Sequence, residues 1–125
     1  MTGGLWPAFL IAAIVGACAR YALDTYVTAR VAGPFPWGTG AVNLSGAFVL
    51  GVITGAVLYH GVSSDVRLVL GTGFCGAYTT FSTFSFETIR LLETGRALSA
   101  VRNVVLNAAG GLLLAGAGLA LGAWA

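Results

Sequence analysis

The sequence predicts an all-α integral membrane protein with four transmembrane helices. Of its 125 residues 58% are hydrophobic and only 8% are charged, whereas soluble domains carry about 25% charged residues. A chain this small exposes most of its surface, so a soluble core does not account for the deficit of charge. The third observation is that the apolar residues fall into four long runs separated by short polar or Gly/Pro-rich turns.

Each of the four runs reaches the roughly 20 residues that a transmembrane helix needs. They extend from about Leu5 to Val31, from about Trp37 to Tyr59, from about Val66 to Leu92 and from about Ala97 to Trp124. The segment Gly33-Pro34-Phe35-Pro36 ends the first run, because proline interrupts helical hydrogen bonding. No linker separates the runs, so we expect residues 1–125 to form a single four-helix unit.

Two glycine pairs predict close helix packing. Gly51 and Gly55 lie four residues apart in the second run, and Gly118 and Gly122 repeat this spacing in the fourth. Small residues at this spacing allow two membrane helices to approach closely. We therefore expect both pairs to lie at helix contacts, inside a bundle or in a dimer.

The third run contains an uncharged polar segment that does not resemble lipid-facing helix. Residues 76–86 read Gly-Ala-Tyr-Thr-Thr-Phe-Ser-Thr-Phe-Ser-Phe. Serine and threonine side chains can bond to helical carbonyls and bend a membrane helix, and glycine weakens it. Unwound backbone in a membrane must be buried or line a cavity, where its carbonyls can coordinate ions. Two interpretations are open: a break with an ion at Gly76 to Thr80, or a continuous helix with back-bonded hydroxyls.

Two phenylalanines in this segment fall on one helical face. Phe81 and Phe84 are three residues apart. Such a pair is typical of core packing. The alternative is that the positive ring edges face an anion.

Asparagines in the second and fourth runs predict buried polar contacts. Asn43 is in the middle of its run with Thr39 one turn before it, and Asn103 and Asn107 are four residues apart. Polar groups inside a membrane are costly unless they are paired. They indicate either a polar track for an ion or hydrogen bonds between helices.

The charges exclude several functions. The six basic residues are single scattered arginines, so no nucleic-acid-binding patch is present. The sequence shows no nucleophile–base pair and no metal-ligand cluster, so we do not expect an enzyme. Arg20 lies four residues before Asp24 on one helical face, where it either pairs with that carboxylate or gives an aqueous vestibule a positive field.

The arginines near the run ends are unevenly distributed. The first and third loops are flanked by Arg30, Arg90, Arg96 and Arg102, whereas the second loop is flanked by Arg67. The positive-inside rule favours a cytoplasmic position for the first and third loops.

Three motifs in the first three runs are distinctive. They are Gly-Ala-Cys-Ala-Arg20-Tyr, Thr39 with Asn43-Leu-Ser-Gly46, and Gly73-x-x-Gly76-x-x-Thr79-Thr80-Phe81-Ser82-Thr83-Phe84. With these motifs the sequence resembles the small bacterial fluoride channels called Fluc or CrcB over essentially its whole length. The resemblance implies four transmembrane helices with the third broken mid-membrane, in an antiparallel (dual-topology) dimer. It also implies a multi-pass protein of the bacterial plasma or inner membrane, surrounded by lipid.

The same resemblance implies roles for individual residues. Backbone carbonyls of Gly76 and Thr79 from both subunits would hold a structural Na⁺ at the dimer centre. Phe81, Phe84 and Asn43 would line two fluoride pores at the subunit interface. Less directly, it implies a polar track or vestibule formed by Thr39, Thr83, Asn103, Asn107 and Arg20.

The implied activity is a passive, highly selective fluoride channel. It would export cytoplasmic fluoride down its electrochemical gradient and so confer fluoride resistance. The arginine distribution departs from a strict dual topology, so the partner is either a second copy or an oppositely oriented homologue. The alternative function is a small four-span, proton-coupled exporter of toxic cations. Such an exporter needs a membrane-embedded carboxylate, and the first run offers only Asp24.

Overall fold

The computed structural model describes residues 3–125, which form helices joined by short turns. Their bounds are α1 (Leu5–Arg30), α2 (Trp37–His60), α3 (residues 64–78), α4 (Ser82–Glu93) and α5 (Ala97–Trp124). Helices α1, α2 and α5 have 26, 24 and 28 residues and are apolar enough to cross a membrane. The prediction of an all-α integral membrane protein is therefore confirmed. The third predicted run differs from the other three, because it contains two shorter helices.

Helices α2 and α5 are packed with their backbones in contact. A Cβ atom added to Gly51 would collide with the carbonyl oxygen of Ala115, and one added to Gly55 would collide with that of Leu119. Gly118 and Gly122 meet the carbonyls of Phe48 and Val52 in the same way. The predicted packing role of both glycine pairs is confirmed, and the two pairs lie at the same contact.

This contact also fixes the relative direction of the two helices. From Gly51 to Gly55 the contacted carbonyl advances from Ala115 to Leu119, so α2 and α5 run parallel. Their carboxyl ends meet where the His60 imidazole Nε2 lies 2.9 Å from the Ala123 carbonyl oxygen. The connecting segment therefore leads from the carboxyl end of α2 back to the amino end of α5.

The connecting segment begins with α3, which packs on α1. Its central part, Arg67–Cys75, is a π-helix with i→i+5 hydrogen bonds, between the short α-helical turns Ser64–Val66 and Gly76–Tyr78. An added Cβ on Gly16 of α1 would collide with the Phe74 carbonyl oxygen. Glycine at position 16 is therefore what allows α1 to approach α3 so closely.

Helical structure is interrupted between α3 and α4. Thr79 has an extended backbone with φ −78° and ψ 160°, and α4 begins at Ser82. The sequence placed a candidate break at Gly76 to Thr80, but Gly76 lies in the last helical turn of α3. The interruption begins three residues later because the Thr79 N–H still bonds to the Cys75 carbonyl at 2.9 Å, which completes that turn.

Candidate functional site

The interruption is held by a side chain from α2. The Asn43 amide faces the Thr80 backbone: its Oδ1 accepts a hydrogen bond from the Thr80 N–H at 2.9 Å. Its Nδ2 donates to the Thr80 carbonyl at 3.0 Å. In a continuous α-helix the Thr80 N–H would bond to the Gly76 carbonyl. Asn43 thus replaces a helical hydrogen bond and frees the Gly76 carbonyl from that partner.

Two glycines shape the surroundings of the interruption. An added Cβ on Gly46 of α2 would collide with Cγ2 of Thr79, so only glycine permits this close approach. A Cβ on Gly76 would meet nothing within 4 Å, and Gly76 is exposed. The last turn of α3 is therefore packed against α2 on one side and open on the other.

Most of the predicted ion-site residues line one cavity of about 670 Å³ beside the interruption. They are Asn43, Gly76, Thr79, Phe81, Phe84 and Asn107. The phenylalanine rings are tilted by 53°, with centroids 5.8 Å apart. Phe81 is 79% exposed, whereas Phe84 is only partly exposed. The pair is therefore not a closed core contact within this chain.

The predicted asparagines form one hydrogen-bonded chain across three helices. Asn43 Nδ2 donates to Asn107 Oδ1 at 2.9 Å, and Asn107 Nδ2 donates to the Asn103 carbonyl and to Asn103 Oδ1 at 2.9 and 3.1 Å. Asn103 is fully buried and donates to the Thr88 hydroxyl at 2.9 Å. The interpretation as interhelical hydrogen bonds therefore holds, and Asn43 and Asn107 also remain cavity-lining residues.

A second, smaller cavity lies on the other side of Thr80. It measures about 180 Å³, and its polar lining includes Arg20, Asp24, Thr39 and Thr83. Arg20 Nη1 donates to the Thr79 carbonyl at 3.4 Å, while Asp24 accepts from the Thr28 hydroxyl at 3.3 Å. The Arg20 guanidinium is therefore directed to the interruption rather than to Asp24.

Thr80 lines both cavities and also starts α4. Its hydroxyl accepts a hydrogen bond from the Thr83 N–H at 3.1 Å and donates to the Thr83 hydroxyl at 3.0 Å. Such a side-chain contact satisfies a free N–H at the start of a helix. One residue thus forms the wall between the two cavities and caps the helix that follows.

Two further members of the site, Glu87 and Thr88, are not among the residues assigned to it from the sequence. Thr39 is 2% exposed, and its hydroxyl donates to Glu87 Oε1 at 3.0 Å. Glu87 Oε2 is buried and has no hydrogen-bond partner among residues 3–125. The available signal was spacing, since Thr88 lies four residues after Phe84 and Glu87 four after Thr83.

Comparison with known proteins supports the resemblance to the Fluc or CrcB family. The family model described as "CrcB-like protein, Camphor Resistance (CrcB)" matches residues 8–119. The fluoride-specific ion channel FluC 1 of Streptomyces avermitilis is 47% identical, covering 91% of this chain and 92% of the relative. FluC 2 of Streptococcus pneumoniae is 45% identical, with 84% of each chain covered. FluC 2 of Mycobacterium tuberculosis is 40% identical, covering 99% of this chain and 92% of the relative.

These matches extend over most of the chain, and the residues matched by the family model include every residue of the site described above. They confirm the family resemblance that the motifs in the first three runs carried. Together with the apolar helices, they show a multi-pass membrane protein of bacterial type that is not an enzyme. The chain therefore belongs to the CrcB family.

Proposed function

We propose that this chain is the subunit of a passive, highly selective fluoride channel that exports cytoplasmic fluoride and so confers fluoride resistance. The observation that carries the proposal is the convergence of Phe81, Phe84, Asn43 and Thr79 on one cavity at an interrupted helix. The family relatives named fluoride-specific ion channels give the ion. Hydrogen fluoride crosses membranes as a neutral acid and ionises inside, and the channel returns the trapped anion down its gradient.

In this proposal α3 and α4 form one transmembrane span, broken mid-membrane. The parallel packing of α2 and α5 supports it, because the chain between them must cross the membrane once to return. Residues 1–125 are then a single four-span unit. The broken backbone is tolerated because Asn43 and Gly46 bury one side of it.

A second chain in the opposite orientation completes the site. Phe81 is 79% exposed although it lines the cavity with Asn43, so one wall of the pore is absent from a single chain. An antiparallel partner, a second copy or a homologue, supplies that wall and generates two pores. The open face at Gly76 lies at the same contact.

The backbone at the interruption fits a structural Na⁺ at the dimer centre. The ligands that we propose are backbone carbonyl oxygens of Gly76 and Thr79. The Gly76 carbonyl has lost its Thr80 partner, and the Thr79 carbonyl shares one long hydrogen bond with Arg20. Each carbonyl has two lone pairs, so both can contribute a ligand. The ion would fix the two interruptions against each other.

Selectivity follows from what replaces the hydration shell of fluoride. Ring edges of Phe81 and Phe84 offer a weak positive field, and the Asn43 amide offers N–H donors that at present bond to Thr80 and Asn107. Arg20 attracts anions into the smaller cavity. The polar track beyond this point consists of Thr39, Thr83, Asn103 and Asn107.

Efflux from liposomes tests the proposal. Purified protein is reconstituted in vesicles loaded with fluoride or with chloride, and release is followed with an ion-selective electrode. Rapid loss of fluoride without loss of chloride is expected. If the protein alone releases no fluoride, co-expression with a homologous chain tests the heterodimer. Absence of fluoride flux in both preparations contradicts the proposal and favours the alternative function, a proton-coupled cation exporter.

A further inference from the structure

A third cavity faces away from the proposed pore. It is an apolar groove of about 630 Å³ between α1, α2 and α3. Its lining includes Ala19, Ala22, Leu23 and Tyr26 of α1 and Phe74 and Tyr78 of α3. It shares no lining residue with the cavity of Phe81 and Asn43. Phe74 and Tyr78 each lie two residues from Gly76, so they point away from the open face of that glycine.

The groove, extended to the end of α1, has the length of one membrane leaflet. Ala19 and Arg30, the last residue of α1, are separated by about 16 Å along a helix with a rise of 1.5 Å per residue. The hydrocarbon core of a bilayer is about 30 Å thick, so half of it is about 15 Å. The groove thus begins near the middle of the bilayer and reaches Tyr26, one turn before the end of α1.

A cation lies beyond the end of this groove that is nearer to the membrane surface. The Arg30 guanidinium carbon lies 3.5 Å from the centroid of the Tyr26 ring, and its Nη1 donates to the Tyr26 carbonyl at 3.2 Å. Among residues 3–125 this guanidinium contacts Tyr26 through one N–H donor and the ring face, which leaves several of its five N–H donors available. Arginine binds phosphate groups through such paired donors.

We infer that this groove is a binding site for one phospholipid, with an acyl chain along Ala19 to Tyr26 and the headgroup phosphate on Arg30. The protein surface changes from apolar side chains to a cation along α1. This change occurs at the depth where a phospholipid changes from acyl chain to headgroup. A second protein chain fits this surface less well, because the exposed Gly76, whose carbonyl has lost its Thr80 partner, lies on the other side. Anionic phosphatidylglycerol is favoured over zwitterionic phosphatidylcholine, since the nearby charge is positive.

Native mass spectrometry of the protein released from vesicles of both lipids tests the inference. The wild type is expected to retain one phosphatidylglycerol per chain. Arg30→Gln is expected to lower retention about fivefold, the effect of one basic residue at an anionic surface. The control Arg96→Gln removes an exposed arginine of the loop that precedes α5 and is expected to retain the lipid.

A second pair of variants tests the acyl-chain part of the site. Ala22→Phe fills the groove and is expected to abolish retention of phosphatidylglycerol although Arg30 is intact. The control Ala120→Phe lies on the exposed surface of α5 and is expected to retain the lipid. Size-exclusion chromatography records the oligomeric state of each variant. Wild-type retention in Arg30→Gln and Ala22→Phe, or equal retention of the two lipids, overturns the inference. Dissociation of oligomers by Ala22→Phe also overturns it, because the groove would then be a protein interface.

Discussion

The side-chain amide of Asn43 pairs with both backbone polar groups of Thr80, accepting from its N–H at 2.9 Å and donating to its carbonyl at 3.0 Å. Two residues 37 positions apart thus reproduce the paired hydrogen bonds of a backbone–backbone contact. The interruption after α3 is therefore a specified structure with its own hydrogen bonds, and its stability depends on a residue of α2.

Replacing Asn43 tests this dependence. Asn43→Ala leaves the Thr80 N–H and carbonyl without this partner and also removes the hydrogen bond to Asn107. Three lost hydrogen bonds correspond to about 3 kcal/mol of unfolding free energy. Amide hydrogen exchange at Thr80 should accelerate accordingly. Ser45→Ala is the control, since its hydroxyl contacts the Tyr78 hydroxyl and not Thr80. Unchanged exchange at Thr80 in Asn43→Ala would show that the interruption is held by other contacts.

Phe81 and Phe84 provide the test of the proposed pore. Phe81→Ile and Phe84→Ile remove the ring edges but keep an apolar side chain, so fluoride efflux should slow by at least about tenfold, or about 1.4 kcal/mol of barrier. The matched control is Phe86→Ile, because Phe86 lies on α4 with Phe84, is 63% exposed and does not line the cavity. Size-exclusion chromatography checks that each variant keeps the oligomeric state of the wild type. Wild-type flux in both test variants would remove these residues from the pore.

How far the sequence could predict this structure differs from one element to the next. The three long apolar helices follow from hydropathy, and their observed ends lie within one residue of the predicted ones. The sequence limited a possible interruption to the five residues from Gly76 to Thr80, but the spacing of the hydroxyl groups could not distinguish an interruption from a continuous helix. The deciding contact comes from Asn43 in another helix, and no local pattern reports such a contact.

The candidate site shows the same division. Spacing placed Phe81 and Phe84 on one face and Asn103 with Asn107 on another, and both relationships hold in the structure. The Thr39–Glu87 hydrogen bond joins residues 48 positions apart, and it depends on how α2 and α4 meet. The π-helical part of α3 also escaped prediction, because no residue pattern in Arg67–Cys75 distinguishes it from an α-helix.

The glycine contact between α2 and α5 predicts that replacing glycine by alanine has opposite effects on stability at different positions. Gly51→Ala and Gly118→Ala place a methyl group against a carbonyl oxygen and should lower stability by about 1–3 kcal/mol, the usual effect of overpacking. Gly116→Ala on α5 meets nothing within 4 Å and should stabilise the helix by about 0.5–1 kcal/mol. Reversible unfolding in mixed micelles measures both. Equal effects at the three positions would contradict the packing.

The Thr39–Glu87 pair predicts a coupling energy. Thr39→Val removes the hydroxyl that donates to Oε1, which leaves a carboxylate whose Oε2 already lacks a partner among residues 3–125. A hydrogen bond contributes about 0.5–1.5 kcal/mol between neutral groups and about 1.5–3 kcal/mol when one group is charged, so Thr39→Val should lower the free energy of unfolding by about 0.5–3 kcal/mol. Thr39→Ser keeps the hydroxyl and serves as the control. In a double-mutant cycle with Glu87→Leu, additive losses would show that the two side chains do not interact.

The distribution of arginines predicts a single orientation in the membrane. Near one membrane face lie Arg30, Arg90, Arg96 and Arg102, and near the other lies Arg67. The positive-inside rule then places residues 31–36 and 94–96 in the cytoplasm. In a background without native cysteines, Ser64→Cys should react with a membrane-impermeant maleimide in intact cells. Ala32→Cys, also exposed, should react only after permeabilisation. An oppositely oriented homologue must then complete the pore, whereas equal labelling of both positions would show dual topology and a homodimer.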